Sequence, residues 1–263
     1  MRKVVQSVVL ACLLFLMSGC KTTGVVPIEY DLSCDPSQAI GVDGQTFNVH
    51  TTKTPDLACS LAGLRDLDHP DARQALNGAA VSAELSARVP NNNFMERFSY
   101  ECVDWAKKAA AFPGFEDEAS YWHGLCLGNA VRNTPLKALR GLNQLEKTLL
   151  HAKETVPDID EGGPLRVLGM LYIKAPAWPT GVGDSDLGLE LLEEAVQKHP
   201  DHPLNHLFYA YALLDAAEDS EAATSELEIG LEKLEAPRFS EAAPYWKKEA
   251  ISLAKELKIP LPE

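Results

Sequence analysis

From about Pro55 to its end the chain repeats its apolar residues every three to four positions, and that period limits the folds open to it more than anything else. Leu139, Leu142, Leu145 and Leu149 share one helical face, and Trp246, Ala250, Leu253, Ala254 and Leu257 do the same near the C-terminus. Helix stops recur along the way: Pro113-Gly114, Pro157-Asp158, Gly181 to Gly183 and His199-Pro200, with Asp158 and Asp184 placed as acidic caps. Strand signals are weak. Valine and isoleucine are sparse, and the one Asp-Gly turn, Asp43-Gly44, lies in a weakly patterned stretch. The body is expected to be all-α.

Small residues indicate that the helices come in pairs. Leu168-Gly169-Met170-Leu171-Tyr172 is followed by Gly188, Leu192, Ala195 and Pro200. This pattern resembles the tetratricopeptide repeat, with its Leu-Gly-x-x-Tyr first helix, its small, large and small positions in the second, and its exit proline. Phe112-Pro113-Gly114 leads to a similar arrangement in Tyr121-Trp122-His123-Gly124-Leu125. Pro200-Asp201-His202-Pro203 opens another pair, with Ala210 at the small position and Ala222 in the helix after it. Gly124, Gly169 and Ala210 lie 45 and 41 residues apart, against roughly 34 in an uninterrupted array. The repeats are therefore degenerate and carry insertions. The expectation is a superhelical array of antiparallel helix pairs over residues 56–263, the alternative being a non-repetitive helical bundle.

The beginning of the chain reads differently. Arg2 and Lys3 precede an apolar run, Val4 to Met17, too short to span a bilayer as a helix. Leu16-Met17-Ser18-Gly19-Cys20 then resembles the lipobox of bacterial lipoproteins. The resemblance implies that residues 1–19 are a signal peptide, that Cys20 carries a diacylglycerol, and, because Lys21 rather than aspartate follows, that the chain is anchored in the outer membrane and faces the periplasm. An ordinary secretory signal with an incidental thiol at Cys20 is the alternative. Residues 20–55, rich in Thr, Gly and Pro, read as a lipidated tether and irregular cap. Cleavage would remove Arg2 and Lys3 and no acid, so 22 of the 24 bases would face all 38 acids, a formal charge of −16. So anionic a protein repels phosphate backbones and anionic lipid, which argues against nucleic acid as a partner and leaves the lipid as the membrane attachment.

Six cysteines become four once Cys12 is cut away and Cys20 acylated. Cys34, Cys59, Cys102 and Cys126 would pair in an oxidising compartment. Cys102 and Cys126 each lie twelve residues from Gly114, so helices running into and out of that turn would bring their thiols together. Cys34 and Cys59 would then tie the irregular segment to the first helix. Four buried free thiols remain the alternative, since spacing does not establish the geometry a bridge needs.

No catalytic motif stands out. The chain has no Gly-x-Ser-x-Gly elbow, no His-Glu-x-x-His and no phosphate-binding Gly-x-x-x-x-Gly-Lys. Ser252 to Lys255 fits a bare Ser-x-x-Lys in an amphipathic helix without companion motifs. Asp158-Ile159-Asp160-Glu161-Gly162-Gly163 starts like a calcium loop but offers Gly162 and Gly169 where ligands belong, so capping of the helix near Pro164 explains the acids better. His202 and His206 are spaced i, i+4, yet no suitably spaced carboxylate or cysteine lies nearby, and packing is the expected role of His206. No catalytic residue, metal or cofactor is assigned.

The inserted loop Ala175-Pro176-Ala177-Trp178-Pro179-Thr180-Gly181-Val182-Gly183-Asp184 is the best binding candidate. Its prolines and glycines give it a defined shape, and insertions in repeats often map to a binding face. Tyr172, Trp178, Pro179 and Asp184 are the candidate contact residues. The simpler expectation is that Trp178 folds back over the hydrophobic end of neighbouring helices and that Asp184 only caps the next one.

The run from Gly162-Gly163-Pro164 through Leu168-Gly169 to Trp178-Pro179 and Gly183-Asp184, with the lipobox and the irregular helix pairs, resembles the T-component lipoproteins of tripartite periplasmic (TRAP) transporters. The similarity covers about residues 56–258, with only the 160–210 stretch distinctive. It implies a non-enzymatic helical lipoprotein that forms homo-oligomers and associates with a periplasmic solute-binding protein. Residues 21–55 and their cysteine do not match that family. A structural adaptor for outer-membrane, pilus or secretion assembly is the competing function.

Overall fold

The computed structural model describes residues 34–89, 92–131 and 135–257. The lipobox and Cys20 lie outside them. Ten α-helices are found among the described residues: α1 (Thr54–Arg65), α2 (Ala72–Arg88), α3 (Asn92–Ala109), α4 (Glu116–Val131), α5 (Pro135–Thr155), α6 (Gly163–Lys174), α7 (Ser185–Lys198), α8 (Pro203–Asp215), α9 (Ser220–Lys233) and α10 (Ala243–Leu257). No strand occurs among these residues, and no helix of theirs is long and apolar enough to cross a membrane.

Local chemistry sets the helix ends. Asp71 and Gln74 form a reciprocal capping box at the start of α2, and the carboxylates of Asp184 and Asp219 accept from Leu187 N and Ala222 N at the starts of α7 and α9. Pro55, Pro164 and Pro203 occupy first turns, where a missing N–H costs nothing. Capping by Asp158 or Asp160, expected from the sequence, does not occur: Gly162 is the N-cap of α6, at φ +83°, and no side chain caps that helix.

Consecutive helices pack in pairs, and α2, α4, α6 and α8 each touch the next but one, so the even-numbered helices form one layer. This is the all-α repeat array expected from the sequence. At the crossing of α6 and α7, a Cβ on Gly169 would lie 2.8 Å from Leu192 Cγ and 3.1 Å from the Gly188 carbonyl oxygen. Only glycine lets the two backbones approach so closely. Gly78 of α2 faces the Trp105 ring of α3 in the same way, which adds an earlier pair that the sequence reading missed. In α9 the inward small residues are Ala223 and Gly230 rather than Ala222.

The core is divided along the array, as in other repeat proteins. Leu57, Leu61, Leu85 and Trp105 fill the first part; Leu149, Leu165, Leu168 and Leu191 the middle; Leu227, Phe239, Trp246 and Leu253 the last. Two disulfides join Cys34 to Cys59 and Cys102 to Cys126, with Cα separations of 6.4 and 5.9 Å. The second spans the α3–α4 turn, and the first holds the irregular segment to α1.

Residues 34–53 are built into the fold, beyond what a cap requires. Asn77 Nδ2 donates to the carbonyls of Gly41 and Gln45, and Gln74 Nε2 to that of Val42. Further on, the His50 carbonyl accepts from Glu241 N and Ala242 N, and Asn48 Nδ2 donates to the Arg238 carbonyl. The irregular segment therefore meets the last turns of the array directly.

Candidate functional site

The segment delivers His50 to a polar cluster fed by four distant parts of the chain. Its Nδ1 lies 3.1 Å from Glu84 Oε2 of α2, and its Nε2 lies 3.7 Å from Asp160 Oδ1 in the α5–α6 loop. Glu84 is held in turn by Arg88 Nε at 2.8 Å, and Arg88 also donates to the carbonyls of Thr52 and Val49. That arrangement braces both the carboxylate and the backbone carrying His50.

Asp160 is anchored from its other side. Its Oδ2 accepts from the Tyr121 hydroxyl of α4 and from the Arg166 guanidinium of α6. Arg166, fully enclosed, also donates to Asn205 Oδ1 at 2.6 Å, and Asn205 Nδ2 donates to the carbonyls of Glu161, Ala195 and His199. Asp160 and Glu161 both adopt left-handed backbone, at φ 51° and 47°. For residues bearing a Cβ this conformation costs of order 1 kcal/mol or more each and persists only where the surroundings impose it. Here Arg166 and Tyr121 hold Asp160, and Arg238 holds Glu161 at 2.6 Å.

His202, the residue before α8, completes the cluster. It is 1% exposed, packed against Phe239 and Trp246 at ring distances of 5.2 and 5.8 Å, and neither ring nitrogen has a hydrogen-bond partner among the described residues. Leaving a buried polar group unpaired costs about 1–3 kcal/mol. His50 stands edge-on to Trp246 at 4.9 Å. One ligand atom each from His50, Asp160 and His202 lies within 4.8 Å of the other two.

The electrostatics divide the three residues. Burial opposes charge on His50, but the carboxylates of Asp160 and Glu84 outweigh it and raise its pKa to about 9. Burial would likewise raise Asp160, yet Arg166 and His50 hold it ionised, well below the usual carboxylate range. His202 is driven the other way by burial, with the Arg166 charge adding to it, and stays neutral.

The residues singled out in the sequence fall elsewhere. Tyr172 is buried, and its hydroxyl donates to Glu146 Oε1 at 2.9 Å, so it supports the loop from within rather than at its surface. Asp184 is exposed and caps α7. Pro179 is exposed, and Trp178 is 85% exposed, so the expectation that its ring covers neighbouring helices fails. The loop keeps its shape through its own backbone: Gly183 N donates to the Pro176 carbonyl at 2.9 Å and Asp184 N to that of Tyr172 at 3.1 Å. At Gly183 the chain passes so near the Ala175 carbonyl that a Cβ would collide with it. His206 packs as expected, its nitrogens engaged by Glu226 and the Pro200 carbonyl at 2.7 and 2.8 Å, so it shares no site with His202.

A polar cleft beside Glu161 is lined by Lys198, His199, Asp201, Lys233 and Arg238. Its cations are already paired, Lys198 with Glu194, Lys233 with Asp201 and Arg238 with Glu161, which leaves little attraction for an anion. Against known proteins, the chain matches no family model and no curated relative.

Proposed function

We propose that this is a non-enzymatic, lipid-anchored helical-repeat protein of the bacterial envelope that docks a periplasmic partner protein through the loop between α6 and α7. The observation that carries the reading is Trp178, a large amphipathic ring held 85% exposed on a loop whose backbone is fixed by its own hydrogen bonds. Exposed aromatic anchors on rigid supports are what protein interfaces use as hot spots. The paired cysteines support export, since disulfides persist in oxidising compartments. The resemblance to TRAP T-components supplies the partner class, a solute-binding protein, and the anchoring site, Cys20 in the outer membrane.

A photoreactive amino acid placed at position 178 of the full-length, exported chain tests this in intact cells. The expected result is a cross-link to a soluble periplasmic protein that is absent when the label is moved to exposed Glu228 of α9. Equal or no cross-linking from both positions would count against the loop as the docking element.

A further inference from the structure

We propose that His50, Asp160 and His202 form a binding site for a divalent transition-metal ion of the zinc type, closing the irregular N-terminal segment onto the helical array. The proposal is independent of what Trp178 binds. Its first support is the donor set: two imidazoles and one carboxylate, with one ligand atom of each within 4.8 Å of the others. Two histidines and an acid are a common three-ligand zinc set that leaves a further position open. His50 and Asp160 both retain some exposure.

The surroundings of each donor are the second support. Metal-bound histidines usually donate their other ring N–H to a carboxylate, which fixes the tautomer. Glu84 Oε2 sits 3.1 Å from His50 Nδ1, so the ring keeps its Nδ1 proton on that carboxylate and binds a metal through Nε2, whose proton, now shared with Asp160, is released to solvent on binding. Tyr121 and Arg166 occupy Oδ2 of Asp160, leaving Oδ1 on the side of His50. Aromatic residues surround His202 without offering its nitrogens a partner. Hydrogen bonding alone accounts for His50 and Asp160. It does not account for His202, where a metal would satisfy one of the two unpaired ring nitrogens.

Bonds of about 2.0–2.2 Å at tetrahedral angles place ligand atoms about 3.4 Å apart. His50 Nε2 and Asp160 Oδ1, 3.7 Å apart, are already near that spacing, so only the widest separation in the set has to close, by roughly an ångström. The backbone around His50 is held by Arg88 and by the Glu241 and Ala242 amides, so the adjustment falls on side-chain torsions rather than on the 3-10 turn itself. A bound ion would then add one more link between the N-terminal segment and the start of α8.

The test uses the full-length exported protein, without a histidine tag, purified in detergent and stripped with a chelator. Titration with Zn2+ is expected to reach one equivalent and to raise the melting temperature; Co2+ is expected to give the intense visible bands of a four-coordinate site. His202→Phe fills the same space against Phe239 and Trp246, and should fold yet lose stoichiometric binding. Glu84→Gln should weaken Zn2+ about tenfold to a hundredfold, as loss of an outer-shell partner does. His206→Gln should bind like the wild type. Wild-type protein that binds less than one equivalent, or shows no such cobalt bands, overturns the site whatever the variants do, and so does unchanged binding by a folded His202→Phe protein.

Discussion

Arg166 is the residue on which the polar cluster depends most. It is buried, and it satisfies Asp160 and Asn205 at once. Arg166→Met roughly keeps the volume but leaves the part-buried Asp160 carboxylate with His50 as its one remaining counter-charge, which should cost about 3 kcal/mol in urea unfolding. A loss below about 1 kcal/mol would mean that Tyr121 and His50 together satisfy Asp160. His50 makes a prediction of opposite sign to ordinary acid denaturation. Its folded pKa, about 9, lies above the free value of 6.5, so its contribution in chelated protein is complete below pH 6.5 and is lost as pH rises through 9. Melting temperatures of the wild type and His50→Gln should therefore converge as pH rises from 6.5 past 9. A constant gap across that range would contradict the ion-pair geometry. None of this cluster was legible in the sequence. His50, Asp160 and His202 lie 110 and 42 residues apart, and no local spacing can report a contact made only by the fold. The acids at 158–161 read locally as an incomplete calcium loop or as helix caps, and neither reading brings Asp160 to His50.

At the scale of elements the sequence was far more informative. Apolar period, proline and glycine stops, and the small residues Gly124, Gly169 and Ala210 are local signals, and each falls in the helix pair it indicates. The pair made by Gly78 and Trp105 was missed because no Leu-Gly-x-x-Tyr motif surrounds Gly78. The crossing of α6 and α7 makes a direct claim: Gly169→Val should destabilise by about 1–3 kcal/mol or more through overpacking against Leu192. Wild-type stability in that variant would show that the helices separate without cost. The Cys102–Cys126 bridge closes a loop of 24 residues in sequence separation. Its removal in a Cys102→Ala/Cys126→Ala protein should cost roughly 3 kcal/mol by chain entropy, provided non-reducing peptide mapping finds that pairing in exported protein.

For the whole molecule, the contact between the two ends of the described chain matters most. Repeat arrays open from their ends, because each unit touches only its neighbours. Here the His50 carbonyl accepts from Glu241 and Ala242, and its ring packs on Trp246, so the first segment and the last helix hold each other. The array should therefore unfold as one transition. Single-tryptophan variants retaining Trp105 or Trp246 should report the same urea midpoint, whereas separated midpoints would show that the ends act independently. The central claim, however, is that an anchored array presents Trp178 to a partner. Once that partner is isolated by cross-linking, its affinity for Trp178→Ala decides the matter. The account predicts a loss of about 2 kcal/mol, roughly thirtyfold in Kd, with the melting temperature unchanged because an exposed ring leaves no cavity. Wild-type affinity in the folded variant would contradict it.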